Sequence, residues 1–140
     1  MAHSTNSAVA DTAPYAALLL RLAIGVMFLA HGLTKLFVFT PAGTAQFFSS
    51  VGFPGFLAYP VMAFEIIGGA LLILGVLSRW IAALAAIELF VASTVHWGNG
   101  WQFAAPNGGG WEYPVFLAVA AAALALLGDG AYAIKSSSRK

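Results

Sequence analysis

Six ionisable side chains fall inside stretches of sequence that are otherwise apolar. They are Arg21, His31, Lys35, Glu65, Glu88 and His96. Charge is costly to bury, so ionisable residues in such stretches pair with one another or carry a function. In an apolar setting, carboxylates, imidazoles and amines can move protons or hydrogen-bond a small ligand. These six residues, with Glu112 beside the last apolar stretch, are the candidates for a polar site.

The elements that must position these side chains are four apolar runs, residues 15–39, 56–77, 80–97 and 113–134. A helix needs about 20 residues to cross a hydrocarbon layer of about 30 Å, and every run approaches that length, the third most narrowly. The chain has 140 residues, of which 61% are hydrophobic and only 8% charged. A soluble domain of this size could not bury so much apolar surface, so lipid must cover much of it. The sequence therefore predicts an all-α, polytopic membrane protein, a bundle of four transmembrane helices.

The connections between the runs divide the chain further. Thr40 and Pro41 suit a helix start, and the apolar residues that follow fall on one side until Gly52, which predicts a short interfacial helix between transmembrane helices 1 and 2. Gly75 and Ser78 predict a tight hairpin, and residues 98–112 an irregular aromatic lid. The predicted divisions are a disordered tail over 1–12, a membrane domain over 13–135 and a basic tail over 136–140. A signal peptide in the first run is disfavoured by its length and its non-basic leader.

Basic residues predict the orientation of the bundle. Arg79, Lys135, Arg139 and Lys140 lie on one side of a four-span topology, and the other two loops have no lysine or arginine. Both termini are therefore expected in the cytoplasm. Aromatic residues at the predicted span ends, such as Trp80 and Trp97, suit the headgroup region.

Depth and helical phase predict which ionisable side chains meet. At 100° per residue, six residues of the first helix fall within a sector of about 120°, and this face must point into the bundle. This face carries Arg21, Gly25, Phe28, His31, Gly32 and Lys35. Matching depths predict an inner layer in which Arg21 meets Glu88, and an outer layer in which His31 or Lys35 meets Glu65, with Glu112 at its rim. The alternative is that Arg21 and Lys35 snorkel to opposite interfaces, His31 bonds a carbonyl and the glutamates are protonated.

Small and aromatic residues around the outer layer are candidates to line a ligand pocket. They are Gly32, Gly68, Gly69, His96, Trp97 and Trp111. For His96 the alternative is an interfacial position beside Trp97. Two histidines on facing helices can hold a haem, but no accompanying motif supports one, and without cysteines no metal site is predicted. The formal charge of +1, with the basic residues scattered, argues against a nucleic-acid partner.

The residues also carry a family resemblance. The run from Arg21 to Leu36, RLAIGVMFLAHGLTKL, resembles the opening helix of the DoxX family of small four-helix bacterial membrane proteins. The segments EIIGG at 65–69, LG at 74–75, SR at 78–79 and GDG at 128–130 agree with it, so the resemblance extends over residues 18–134. Ala133 and Lys135 depart from the family, which often has serine and aspartate near these positions.

The resemblance implies a multi-pass protein of the bacterial plasma (inner) membrane, linked to quinone-dependent sulfur oxidation or to redox and detoxifying enzymes. Three readings compete. The first is a quinone-interacting or accessory subunit with a redox-enzyme partner, in which His31 or Glu65 would hydrogen-bond the quinone ring. The second is a small proton-coupled transporter or channel, which would need to form a homo-oligomer. The third is a membrane scaffold. The chain has no cofactor fingerprint or soluble domain, which favours an accessory subunit over a stand-alone enzyme.

Overall fold

The computed structural model describes residues 11–137, and this part of the chain is helical, without a strand. Its helices are α1 (Ala13–Phe37), α2 (Pro41–Ser50), α3 (Ala58–Leu74), α4 (Ser78–Ser93) and α5 (Glu112–Leu127). Short 3₁₀ segments precede α3 (Gly55–Leu57) and extend α4 (Thr94–Asn99). The all-α class is confirmed. Most of the predicted N-terminal tail, residues 1–10, and the end of the basic tail, residues 138–140 with Arg139 and Lys140, lie outside the described residues.

Three of the described helical stretches are long and apolar enough to cross a membrane, namely Ala13–Phe37, Gly55–Leu74 and Ser78–Asn99. The apolar helix α5 is shorter, with 16 residues. The fourth apolar run extends to residue 134, but α5 stops at Leu127, directly before the GDG segment at 128–130. Gly128 and Gly130 adopt φ values of 87° and 74°, which an α-helix cannot contain, and the chain turns there. The number of spans therefore stays a prediction.

The helices pack as two pairs. The first pair is α1 with α3 and the second is α4 with α5, while α1 also contacts α5. Glycines bring the first pair close: a Cβ atom on Gly69 would lie 2.6 Å from the backbone nitrogen of Leu29. In the second pair, alanines take this role: Ala82 and Ala85 of α4 and Ala121 of α5 are fully buried. Small residues permit this close packing of helices.

The tight hairpin between α3 and α4 turns through Gly75 and Leu77, which both have positive φ. Although the hairpin joins α3 to α4, α3 packs mainly on α1 and α4 mainly on α5. The predicted neighbours α3 and α4 thus contact each other near the turn, and over the rest of their length each packs mainly on a different helix. This arrangement leaves space between the two pairs.

The segment between α1 and α3 contains the ten-residue helix α2. Its N-cap, Thr40, accepts a hydrogen bond from the Gly43 backbone at 3.2 Å, and Pro41 fills the first helical position. The helix ends before Gly52, whose φ is 93°. Its position at a membrane surface stays a prediction.

Candidate functional site

A cavity of about 400 Å³ lies between the two helix pairs, at the end of the bundle that carries α2. Its polar lining comes from α1, α3, α4 and the 3₁₀ segment after α4: His31, Lys35, Glu65, Glu88 and His96. The rest is mainly apolar or aromatic, with contributions from α2 and α5. A pocket with a few convergent polar groups in an apolar wall is the usual form of a small-molecule site. Five of the six ionisable residues singled out in the apolar runs thus share one space.

Lys35 and Glu65 form an ion pair in this cavity. The Lys35 Nζ atom lies 2.8 Å from both carboxylate oxygens of Glu65. Only 7% of Glu65 is exposed. The expected contact in the outer layer is therefore made by Lys35. The His31 ring instead donates from Nδ1 to the carbonyl of Met27, one turn earlier in α1, at 2.8 Å.

Glu88 belongs to the same cluster. Its carboxyl group adjoins that of Glu65, within reach of a hydrogen bond, and Lys35 is a further neighbour. The predicted pairing of Arg21 with Glu88 is therefore wrong. Glu65 lies nine residues before the end of α3 and Glu88 ten residues after the start of α4, so the two are about equally far from the hairpin, and Glu88 lies away from Arg21.

Arg21 is fully buried at the other end of the bundle, with 1% exposure. Its guanidinium group donates to the backbone carbonyls of Asp129 and, at 3.1 Å, Ala131. Both carbonyls belong to the turn that follows α5, so Arg21 fastens α1 to this turn. Gly75 permits the approach, because a Cβ atom there would lie 2.7 Å from Nη1 of Arg21. Arg21 therefore has a structural role, and it does not line the cavity.

The carboxylate of Asp129 organises the same turn. It accepts hydrogen bonds from the Ser137 backbone and hydroxyl, each at 2.6 Å, and from Ser136 at 3.3 Å. These hydrogen bonds tie the end of the described chain to the bundle.

The loop between α4 and α5 folds over the cavity end. His96 donates from Nδ1 to the carbonyl of Gly109 at 3.1 Å, which ties the loop to the end of α4. Glu112 accepts a hydrogen bond from the Phe103 backbone at 3.0 Å. Glu112 thus holds the loop and is not among the residues that line the cavity, although the next residue, Tyr113, is; its place at the rim of the outer layer stays a prediction. Across the opening, the Tyr113 hydroxyl contacts the sulfur of Met27 at 3.0 Å and so bridges α5 and α1.

Of the six predicted pocket residues, His96 lines the cavity. The indole of Trp97 bonds the Ser93 hydroxyl at 3.2 Å, and Trp111 precedes α5 as its N-cap. Gly32, Gly68 and Gly69 instead admit neighbouring helices, since a Cβ atom on any of them would meet atoms of another residue within 3.3 Å. These five residues are absent from the cavity lining.

Sequence reasoning missed the aromatic part of the lining. Phe47 and Phe48 of α2, and Phe53 after it, face the cavity, as do Phe28 and Tyr113. The signal was present, because Phe47 and Phe48 stand on the apolar side of α2. That pattern predicts contact with a membrane surface, and in the structure the same two side chains also line the cavity.

No group of three or more histidine, aspartate or glutamate side chains within residues 11–137 has the geometry of a metal site. The lining combines aromatic and aliphatic side chains, which can enclose an apolar group, with nitrogen atoms of Lys35, His31 and His96, which can bond polar atoms.

Comparison with known proteins places this bundle in a family. The DoxX family model matches residues 16–97, more than half of the chain, which include α1 from its fourth residue and all of α2, α3 and α4. The chain belongs to the DoxX family. It is therefore a membrane protein. It is 38% identical over 112 residues to a protein of Bacillus subtilis (strain 168) named "Putative oxidoreductase CatD", a match over 80% of this chain and 78% of that protein. No solved structure matches the chain significantly.

The energetic link between Lys35 and Glu65 can be measured. Lys35→Gln removes the cation from the carboxyl groups of Glu65 and Glu88, and Glu65→Gln removes the group that bonds Lys35 through both oxygens; each change should lower the melting temperature in mild detergent. The double variant removes both charges, so it should lose less stability than the sum of the single variants, with a coupling energy of about 1–3 kcal/mol. Thermal unfolding of the four proteins gives this coupling. Glu112→Gln is the control for loss of a carboxylate outside the cavity, and strictly additive effects would contradict the pair.

Proposed function

We propose that this DoxX-family protein binds the ring of a membrane quinone in the cavity, as a quinone-interacting or accessory subunit of a membrane redox or detoxification system. The observation that carries the proposal is the cavity of about 400 Å³, with an apolar and aromatic wall and one cluster of polar groups. Pockets of this kind and size accept drug-sized ligands. The oxidoreductase name of the Bacillus subtilis relative supports a connection with redox chemistry.

The side chains suit both redox forms of the ring. A quinone oxygen accepts hydrogen bonds, and the Lys35 ammonium has three N–H donors, two of which point to Glu65. A quinol hydroxyl donates hydrogen bonds. His31 and His96 can accept them at Nε2, because Nδ1 of each ring is bonded to a backbone carbonyl. When bound, the quinone would supply two-electron redox chemistry. The residues of this chain would bind and orient it.

The proposal includes a membrane arrangement: four spans in a bacterial inner membrane, with both termini in the cytoplasm and residues 13–135 as one membrane domain. The positions of basic residues support it. The backbone of Lys135 bonds that of Gly75 at 3.1 Å, so Lys135 lies at the same end of the bundle as Arg79 in the α3–α4 hairpin. Positive charge marks the cytoplasmic side of a membrane protein. On this arrangement α2 and the cavity end face outward, where a redox enzyme or a second copy could dock.

A binding experiment with a short-chain quinone tests the proposal. The purified protein in lipid nanodiscs is titrated with ubiquinone-1, and quenching of tryptophan fluorescence gives Kd. Val61→Phe places a bulky side chain in the cavity lining and should weaken binding at least tenfold. The matched control is Val119→Phe, at a position that is 63% exposed and outside the lining, which should bind like the wild type.

Two results would refute the proposal. One is the absence of saturable quenching in the wild type. The other is an equal Kd for the two phenylalanine variants, which would assign the quenching to quinone dissolved in the lipid. Native mass spectrometry of the protein extracted in mild detergent adds an independent readout, since it detects bound quinone, copy number and partners together.

A further inference from the structure

The charged groups of the cavity do not balance. One lysine, Lys35, faces two carboxyl groups, Glu65 and Glu88. The other titratable groups that line the space are His31 from α1, His96 from the segment after α4 and Tyr113 from α5. With neutral histidines, full ionisation would leave one negative charge in a mostly apolar space. Such a charge is costly unless a cation accompanies it.

The geometry assigns that charge to Glu88. Both oxygens of Glu65 lie 2.8 Å from the Lys35 ammonium, so this pair is already neutral. The Glu88 carboxyl adjoins Glu65 within reach of a hydrogen bond, and two carboxyl groups can form this bond only when one of them carries a proton. A proton between Glu65 and Glu88 makes the three-residue cluster neutral as a whole.

The wall of the cavity suits a cation that could replace this proton. Aromatic side chains come from three helices and the turn after α2: Phe28, Phe47, Phe48, Phe53 and Tyr113. Aromatic faces attract cations, most strongly where water is excluded. The apolar wall also favours an occupant with a large apolar surface over a small hydrated ion, whose dehydration would be costly.

We propose that the cavity is also a binding site for a lipophilic organic monocation, which exchanges for the proton held between Glu65 and Glu88. On binding, the carboxyl O–H bond breaks, the proton goes to water and the Glu88 carboxylate becomes the counter-ion of the bound cation. Charge balances, because one positive charge enters for each that leaves. A neutral quinone ring needs no such exchange, so this ligand class goes beyond the proposed function and is tested separately.

Tetraphenylphosphonium is the probe, with the full chain in mild detergent. Calorimetric titrations in buffers of different ionisation enthalpy count the protons released. One proton per bound cation is expected, and where the proton is fully held a drop of one pH unit should weaken binding about tenfold, as mass action requires for one released proton. The neutral analogue tetraphenylmethane should not show this dependence on pH.

Glu88→Gln is the decisive variant. Its amide can donate to Glu65 as a protonated Glu88 does, so the cluster stays neutral and the fold is retained, but it has no proton to exchange. Binding of tetraphenylphosphonium should fall at least tenfold and proton release should vanish. Glu112→Gln is the matched control and should bind like the wild type, because Glu112 bonds the loop backbone and does not line the cavity.

A second variant protects the test against misfolding. Lys35→Gln removes the cation of the cluster and should tighten binding, since no ammonium group then competes for the carboxylates. Melting curves of both variants verify that they are folded. Wild-type affinity in Glu88→Gln, binding without proton release, or no binding to the wild type would each overturn the proposal. None of these results depends on whether a quinone binds.

Discussion

Replacement of Arg21 by methionine is expected to lower the free energy of unfolding by about 3–5 kcal/mol, because two hydrogen bonds from a charged group are lost, each contributing roughly 1.5–3 kcal/mol. The guanidinium group is fully buried and bonds the carbonyls of Asp129 and Ala131. Methionine fills most of the volume but donates nothing, so both carbonyls lose their charged donor. The turn after α5 should then detach from α1. Thermal unfolding in detergent measures the loss, and hydrogen exchange over residues 128–137 locates it.

Lys135→Met is the matched control. It removes a basic side chain at the same end of the bundle, but Lys135 is exposed, so the effect should stay within about 0.5 kcal/mol. Arg21→Lys should fall between these variants, because one ammonium group lacks the planar fork that reaches two carbonyls. If Arg21→Met melted with the wild type, Arg21 would not fasten the turn.

The second large effect is expected where α1 meets α3. A Cβ atom on Gly69 would lie 2.6 Å from the Leu29 nitrogen and 2.8 Å from the Gly25 carbonyl oxygen, and both atoms belong to backbone. Backbone cannot rotate aside, so Gly69→Ala must push the helices apart. We expect a loss of about 3 kcal/mol, at the upper end of typical overpacking costs. The melting temperature in detergent measures this loss.

Its control is the neighbouring glycine. A Cβ atom on Gly68 would lie 3.3 Å from side-chain atoms of Ile81 and Phe64, which can adjust, so Gly68→Ala should be tolerated much better. Equal melting temperatures for the two variants would contradict the close approach of α1 and α3. Because Lys35 and Glu65 lie on these two helices, Gly69→Ala should also weaken their ion pair.

The sequence predicts that His31 or Lys35 meets Glu65, on the basis of two simple quantities. Helical phase places both residues on the inward face of α1, and depth places Glu65 near their level. The structure selects Lys35. For Arg21 the same reasoning selected the wrong partner. Its bonds go to backbone carbonyls in the turn after α5, and matching the depths of charged side chains does not identify a backbone partner.

The cavity itself could not be predicted from single helices. It exists because α3 packs on α1 while α4 packs on α5. Small residues on the contact surfaces of these helices together determine this pairing. Phe47 and Phe48 line it only because α2 folds back over the bundle. Glu88 joins the cluster because α4 faces the α1–α3 pair across the cavity, with Glu88 about as far from the hairpin as Glu65. Each of these features depends on tertiary packing.

The short length of α5 has a consequence for the surrounding lipid. Its 16 residues provide about 24 Å of helix, less than the hydrocarbon thickness of about 30 Å. If α5 is the fourth crossing, the non-helical turn after it spans the rest of the hydrocarbon layer. Lipid tails cannot hydrogen-bond the backbone of this turn, but Arg21 and the Pro14 carbonyl do. This mismatch adapts the α5 side of the bundle to a locally thinned bilayer, whereas the longer α1 fits a full one. The protein should therefore deform the membrane unevenly around its circumference.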